Sequence, residues 1–285
     1  MRTPLKFLVV SIATLWLASC TKEPALLRQM SKLELVNKIQ HRLLESVEAE
    51  KSAVLAVTDE ESIEFAAQSK RSVEEIDRLQ SDLSQLIAAD ARREEVETLA
   101  AFTAMWAELK GIDVRLLDLA VANSNLKASR LSAKEGAAAL DRFITSVDAM
   151  ARSSSDVAIV RSLTTAATSA ARIHSLLLAH IPEASGNEMT ALEARIRALG
   201  ATVDTALRES RASLPPTASS SAAEAAQAWA EYQRVMAEVI RLSRLNTNVI
   251  SFDVSIHEKR TATRACSDAL AALRSAIESG PHATR

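Results

Sequence analysis

A tryptophan-led segment dominates this chain because it is there twice. Trp106 to Glu135 reads WAELKGIDVRLLDLAVANSNLKASRLSAKE, and Trp229 to Glu258 reads WAEYQRVMAEVIRLSRLNTNVISFDVSIHE. The offset is 229 − 106 = 123, and it carries Asn123-x-Asn125 onto Asn246-x-Asn248 and Ser132/Glu135 onto Ser255/Glu258. Heptad helices resemble one another in their apolar positions. That general likeness does not align a Trp, an Asn-x-Asn and a Ser-x-x-Glu together. The chain therefore reads as one helical module written twice in tandem. Apolar pairs at the same offset extend the match: Val54/Leu177, Val73/Ile196, Ile76/Leu199 and Val147/Leu270.

Composition agrees with helices. Among 285 residues there are 5 Gly and 6 Pro, so few positions break a helix. Only 3% of residues are aromatic, which leaves Leu, Val, Ile and Ala to build a slender bundle core. With a formal charge of −2, nothing in the composition is basic enough to suggest nucleic acid.

The N-terminus carries an export signal. A basic start (Arg2, Lys6) precedes an uncharged apolar run of 12, Phe7 to Ala18. That is too short for a helix that crosses a bilayer and suits a signal peptide. The run ends in Leu17-Ala18-Ser19-Cys20, which resembles the lipobox of bacterial lipoproteins. Lipidation is expected at Cys20, giving membrane attachment through an N-terminal lipid. Thr21 after the Cys leans toward the outer membrane, facing the periplasm. Cys266 is then the one cysteine left, so no intramolecular disulfide is available.

Periodicity and capping residues divide the remainder. A signal peptide (1–19) and tether (20–25) lead into helix A, 26–57. Thr58-Asp-Glu-Glu61 opens helix B (59–88) as a capping box. Asp90 caps helix C (91–131), whose apolar stripe alternates steps of 3 and 4. Ser132-Ala-Lys-Glu135 reads as a second capping box, turning the chain into helix D (133–152). Ser153-Ser-Ser-Asp156 separates the modules. Helix E (156–181) stops at Pro182, helix F covers 186–213, helix G opens at Ser221, and Ser255-Ile-His-Glu258 opens helix H. The expected fold is all-α: two tandem up-down-up-down four-helix bundles, residues 26–152 and 156–280. Side-by-side packing as a pseudo-dimer is favoured over end-to-end stacking.

Candidate functional residues are few. Asn123 and Asn246 fall on the buried seam. They fix register as a polar layer, or they contact a ligand between helices. Trp106 and Trp229 suit core packing. Glu50 lies on helix A's apolar side, where the second repeat has Ile173 in the ungapped alignment; that mismatch allows a buried partner, and a snorkelling or exposed Glu is favoured over it. Cys266, matching Phe143, suits a buried apolar slot. None of the five His sits in the Glu-x-x-His pattern of di-iron bundles, so no metal or other cofactor is expected. No phosphate loop, nucleophile elbow or carboxylate pair points to an enzyme.

Two segment types resemble a known family. Glu50-Lys-Ser-Ala-Val-Leu-Ala-Val-Thr-Asp-Glu-Glu61 is similar to the end of the first helix in four-helix-bundle sensor domains of bacterial chemoreceptors. Ala122-Asn-Ser-Asn-Leu-Lys-Ala128 and Leu245-Asn-Thr-Asn-Val-Ile-Ser-Phe252 resemble the end of its third helix. The resemblance implies an extracytoplasmic sensor that takes a small-molecule ligand and normally dimerises. A chemoreceptor would continue into a second span and a signalling coiled coil. The sequence ends near residue 285 without them, so the expected output runs through a membrane receptor or kinase partner. The alternative is a structural or protein-interaction lipoprotein of the envelope with no ligand.

Overall fold

The computed structural model describes the backbone of residues 8–213 and 218–280, and side chains from residue 25 onward within those ranges. The signal segment, Cys20 and the tether up to Pro24 lie outside the described side chains. Among the described residues ten α-helices follow one another: α1 (Leu8–Leu55), α2 (Asp59–Asp90), α3 (Arg93–Ala122), α4 (Ser124–Leu131), α5 (Ala137–Ser153), α6 (Val157–His180), α7 (Gly186–Ser213), α8 (Ser219–Leu245), α9 (Thr247–Val254) and α10 (Arg260–Glu278). Short π-helical segments, Ser132–Gly136 and Ser255–Lys259, join α4 to α5 and α9 to α10. No strand occurs among the described residues, and the fold is all-α.

Capping chemistry explains several boundaries. The Thr58 hydroxyl accepts the Glu61 N–H at 3.1 Å, opening α2 as its sequence indicates. Asp156 Oδ1 accepts the Ala158 N–H at 2.8 Å at the start of α6, and Ser154–Asp156 form the non-helical break before it. Asp90 does not cap α3. It ends α2, ahead of left-handed Ala91 (φ 49°), and its carboxylate takes the Lys32 ammonium instead.

Both Ser-x-x-Glu boxes of the repeated segment depart from expectation. Ser132 has helical dihedrals (φ −61°, ψ −47°), whereas an N-cap residue is extended. Val254, which precedes Ser255, is helical too, and neither π-segment has a side-chain cap. Helix therefore runs unbroken from Ser124 to Ser153 and from Thr247 to Glu278. The breaks lie earlier, at Asn123 and Asn246, with φ of 50° and 53°.

The chain forms two compact units that are not the contiguous halves 26–152 and 156–280. Unit 1 combines residues up to Val121 with Phe252 onward; unit 2 is Ala122–Ser251. No turn forms at Ser132 or Ser255, so the run from Ser124 is one helix and not the end of helix C followed by helix D. It packs along α8 in unit 2, and the stretch from Phe252 to Glu278 fills the fourth position of unit 1.

Unit 1 packs Ile39 and Leu43 of α1, Ile76 and Leu83 of α2, Phe102 and Trp106 of α3, and Cys266 and Leu270 of α10 into one core. α3 and α10 run antiparallel, as the Arg115–Glu258 and Asp113–Lys259 ion pairs fix. Trp106 Nε1 donates to Asp77 Oδ1 at 2.7 Å, so the buried ring keeps its polar edge satisfied. Cys266 is fully buried, in the apolar slot its alignment with Phe143 indicates.

Unit 2 packs Phe143, Val147, Ala166, Ala170, Ile196, Val203, Trp229 and Tyr232. The 124–153 run is antiparallel to α8, with Phe143 against Trp229 at 5.3 Å between ring centroids. Trp229 Nε1 donates to Asp204 Oδ1 at 2.6 Å.

Burial corrects the register of the repeat. In α3/α8 and α5/α10 buried positions lie 123 apart, as in Trp106/Trp229, Phe143/Cys266 and Val147/Leu270. In the first two helices the spacing is 159 − 32 = 127: Lys32, Leu43, Glu50 and Ala53 take the places of Ile159, Ala170, Leu177 and His180. Ile76 likewise corresponds to Val203, and not to Leu199. Four residues are close to one helical turn, so either offset lays an apolar stripe on an apolar stripe. α2 has 32 residues and α7 has 28, which accounts for the missing turn.

Candidate functional site

Asn123 and Asn246 enter a reciprocal polar layer in unit 2. A left-handed residue ends one helix, and the next residues start another whose first N–H groups lack partners within the helix. Here each restart is capped by the other. The Ser124 N–H donates to Thr247 Oγ1 and the Thr247 N–H to Ser124 Oγ, both at 3.0 Å. The Asn125 N–H donates to Asn248 Oδ1 and the Asn248 N–H to Asn125 Oδ1, both at 3.1 Å. Asn125 Nδ2 donates to Asn246 Oδ1 at 2.7 Å and to the Ile181 carbonyl at 2.6 Å. Asn248 Nδ2 donates to Asn123 Oδ1 at 2.9 Å, and Asn246 Nδ2 to the Glu183 carbonyl at 3.0 Å. In this layer Asn123 Nδ2 is buried without a hydrogen-bond partner. Asn fits at 123 and 246 because it tolerates the left-handed conformation better than other side chains do. Sequence reasoning placed these two on the seam but assigned no cap to Asn125 and Asn248, which carry most of the bonds.

A second polar cluster sits in the core of unit 1. Glu50 of α1 is fully buried, contrary to the snorkelling expected of it, and so are Asp113 of α3 and Lys259 at the end of the 255–259 π-segment. The Lys259 ammonium pairs directly with Asp113 Oδ1. Both Glu50 oxygens and Asp113 Oδ2 are buried and lack hydrogen-bond partners. Ser255 faces Glu50 without closing a bond of ordinary geometry.

Burial pushes the Glu50 carboxyl above its usual range, opposed by the Ser255 hydroxyl and the Lys259 charge and reinforced by Asp113. Burial also pushes Asp113 up, opposed by Lys259. The Cys266 thiol is pushed up to about 12, first by burial, and is no nucleophile.

All charged side chains buried in the described chain belong to unit 1: Lys32, Glu50, Glu95, Asp113 and Lys259. At the bundle end, Lys32 is balanced by Asp90 at 2.5 Å and Glu95 at 2.6 Å. Unit 2 buries His180 instead, held between Ser243 at 2.8 Å and Glu193 at 3.1 Å. The Ser243 hydroxyl also donates to the His180 carbonyl at 2.9 Å, which settles a helix end. Among the described residues, no group of three or more His, Cys, Asp or Glu could hold a metal ion.

Residues 28–159 match the family described as the four helix bundle sensory module for signal transduction. The matched stretch contains the Glu50–Glu61 and Ala122–Ala128 segments, so the resemblance to chemoreceptor sensor bundles holds over it. It is just under half the chain. It is also contiguous, whereas its last helical run, from Ser124 onward, packs in unit 2. No curated protein and no solved structure matches the chain.

Proposed function

We propose that this protein is a signal-sensing lipoprotein of the bacterial envelope. Its helical units register a small molecule or a partner and pass that state to a membrane receptor or kinase. The match of residues 28–159 to a sensory module carries the reading. The Leu17–Cys20 lipobox supports attachment by a lipid on Cys20, with the chain facing the periplasm. No helix of the described residues is long and apolar enough to cross a membrane, which is compatible with output through a partner.

Asn123 and Asn246 serve this reading as structural residues. Their side-chain oxygens are spent on each other's helix restarts, which leaves a ligand little to bind. Two measurements test the proposal. Labelled palmitate should enter the membrane-bound wild type and not Cys20→Ser; an unlabelled wild type refutes the lipoprotein. A thermal-shift screen of small metabolites, organic acids first, should raise the melting temperature with at least one compound. Absence of any shift at millimolar levels, together with a stoichiometric partner that no ligand affects, would leave a structural lipoprotein.

A further inference from the structure

We propose that Glu50, Asp113 and Lys259 form a proton-binding site in the core of unit 1, in which Glu50 is the group that takes up the proton. Three observations meet here. The first is charge. One ammonium faces two carboxyl groups, so full ionisation would leave one negative charge in the core. That charge would sit on Glu50, whose two oxygens accept no hydrogen bond. The Ser255 hydroxyl faces it without closing a bond, and a buried carboxylate so poorly served is among the most costly groups a core can hold and takes up a proton instead.

The second is comparison with unit 2, where the corresponding places hold Leu177, Met236 and Gly136. The same bundle is therefore built without any of the three charges. A buried ion pair is seldom a net gain over apolar residues of similar size, so stability does not account for the cluster. The third is its setting. Lys259 ends a π-segment, a widened turn frequent at functional sites. α3 and the 256–265 stretch also line an open groove of about 770 Å³ that includes Ile112 and Glu258, the chain neighbours of Asp113 and Lys259. Solvent thus reaches the helices that carry the site.

The ionisable groups that face the cluster are few. α1 adds Lys51, which acts on Glu50, and α10 adds Cys266, which lies near Asp113 and Lys259; Glu108 of α3 acts on Cys266 and not on the cluster's own carboxyls. The buried residues of α2 include no ionisable side chain. Both carboxyls are held above their unfolded values, and the sign follows. The folded chain binds more protons than the unfolded chain above the ordinary carboxylate range. The stabilisation is present in full at low pH and falls away as pH rises through the folded values. Deprotonation of Glu50 then charges the core and loosens unit 1.

The inference depends on the core of unit 1 and not on the sensory reading. Its test uses the full chain melted between pH 5 and pH 9 at fixed ionic strength. Proton release on unfolding is followed at pH 6 with an indicator dye. Wild type should lose melting temperature toward alkaline pH and release a proton that Glu50→Gln does not. Glu50→Gln and Glu50→Leu should flatten the alkaline fall, while exposed Glu48→Gln should keep it. Equal slopes and equal proton release in wild type and both Glu50 variants would overturn the proposal. Failure of both variants to fold would overturn it as well, since the carboxylate would then be needed as an ion. A metabolite response that survives a flat pH profile would leave the sensory reading standing alone.

Discussion

Single residues decide where this chain breaks and where it stores charge. Asn125 makes two donor bonds through Nδ2 and receives the Asn248 N–H. Asn125→Ala removes a cap and orphans buried acceptors, which should lower stability by about 2–4 kcal/mol in urea denaturation. Lys259→Met leaves two buried carboxyls without a counter-ion. It should cost about 3 kcal/mol or more at pH 8 and less at pH 5, where protonation removes the need for one. Cys266 should resist maleimide in the folded chain and react after denaturation, because burial withholds both access and thiolate. The seam position of Asn123 and Asn246 is legible from heptad spacing. The burial of Glu50 is not, because the charges that act on it, Asp113 and Lys259, are 63 and 209 residues away (113 − 50 and 259 − 50).

At the scale of elements, the sequence is informative about starts and poor about continuations. Thr58 and Asp156 cap helices where spacing and residue type indicate. Ser132-x-x-Glu135 has the same letters and caps nothing, because a local motif competes with a helix that gains more by continuing. Ala133→Pro separates the two readings. At the first position of a new helix Pro is tolerated, while inside a continuous run it costs about 3 kcal/mol. The structure calls for the larger loss, seen as a lowered melting temperature with unit 2 affected first. The repeat offset shows the same limit. A change from 123 to 127 moves a helix by about one turn, to which periodicity is nearly blind.

At the scale of the whole molecule, each unit draws its fourth helix from the other half of the chain. Arg115→Cys with Glu258→Cys should therefore cross-link through a short bis-maleimide. Arg115→Cys with Glu135→Cys, the pair a contiguous bundle would bring together, should not. The reverse pattern, read by peptide mapping, would restore the contiguous halves. The sequence alone determined the helical class, most helix limits and the polar seam. These depend on residue type and local spacing, which a chain carries with it wherever it packs. The tertiary structure decided which helix completes which unit, the one-turn shift between the repeats and the burial of Glu50 beside Asp113. Those outcomes rest on contacts between residues distant in sequence, where several pairings bury similar apolar stripes. Only the assembled polar groups, capping each other or left without partners, tell the pairings apart.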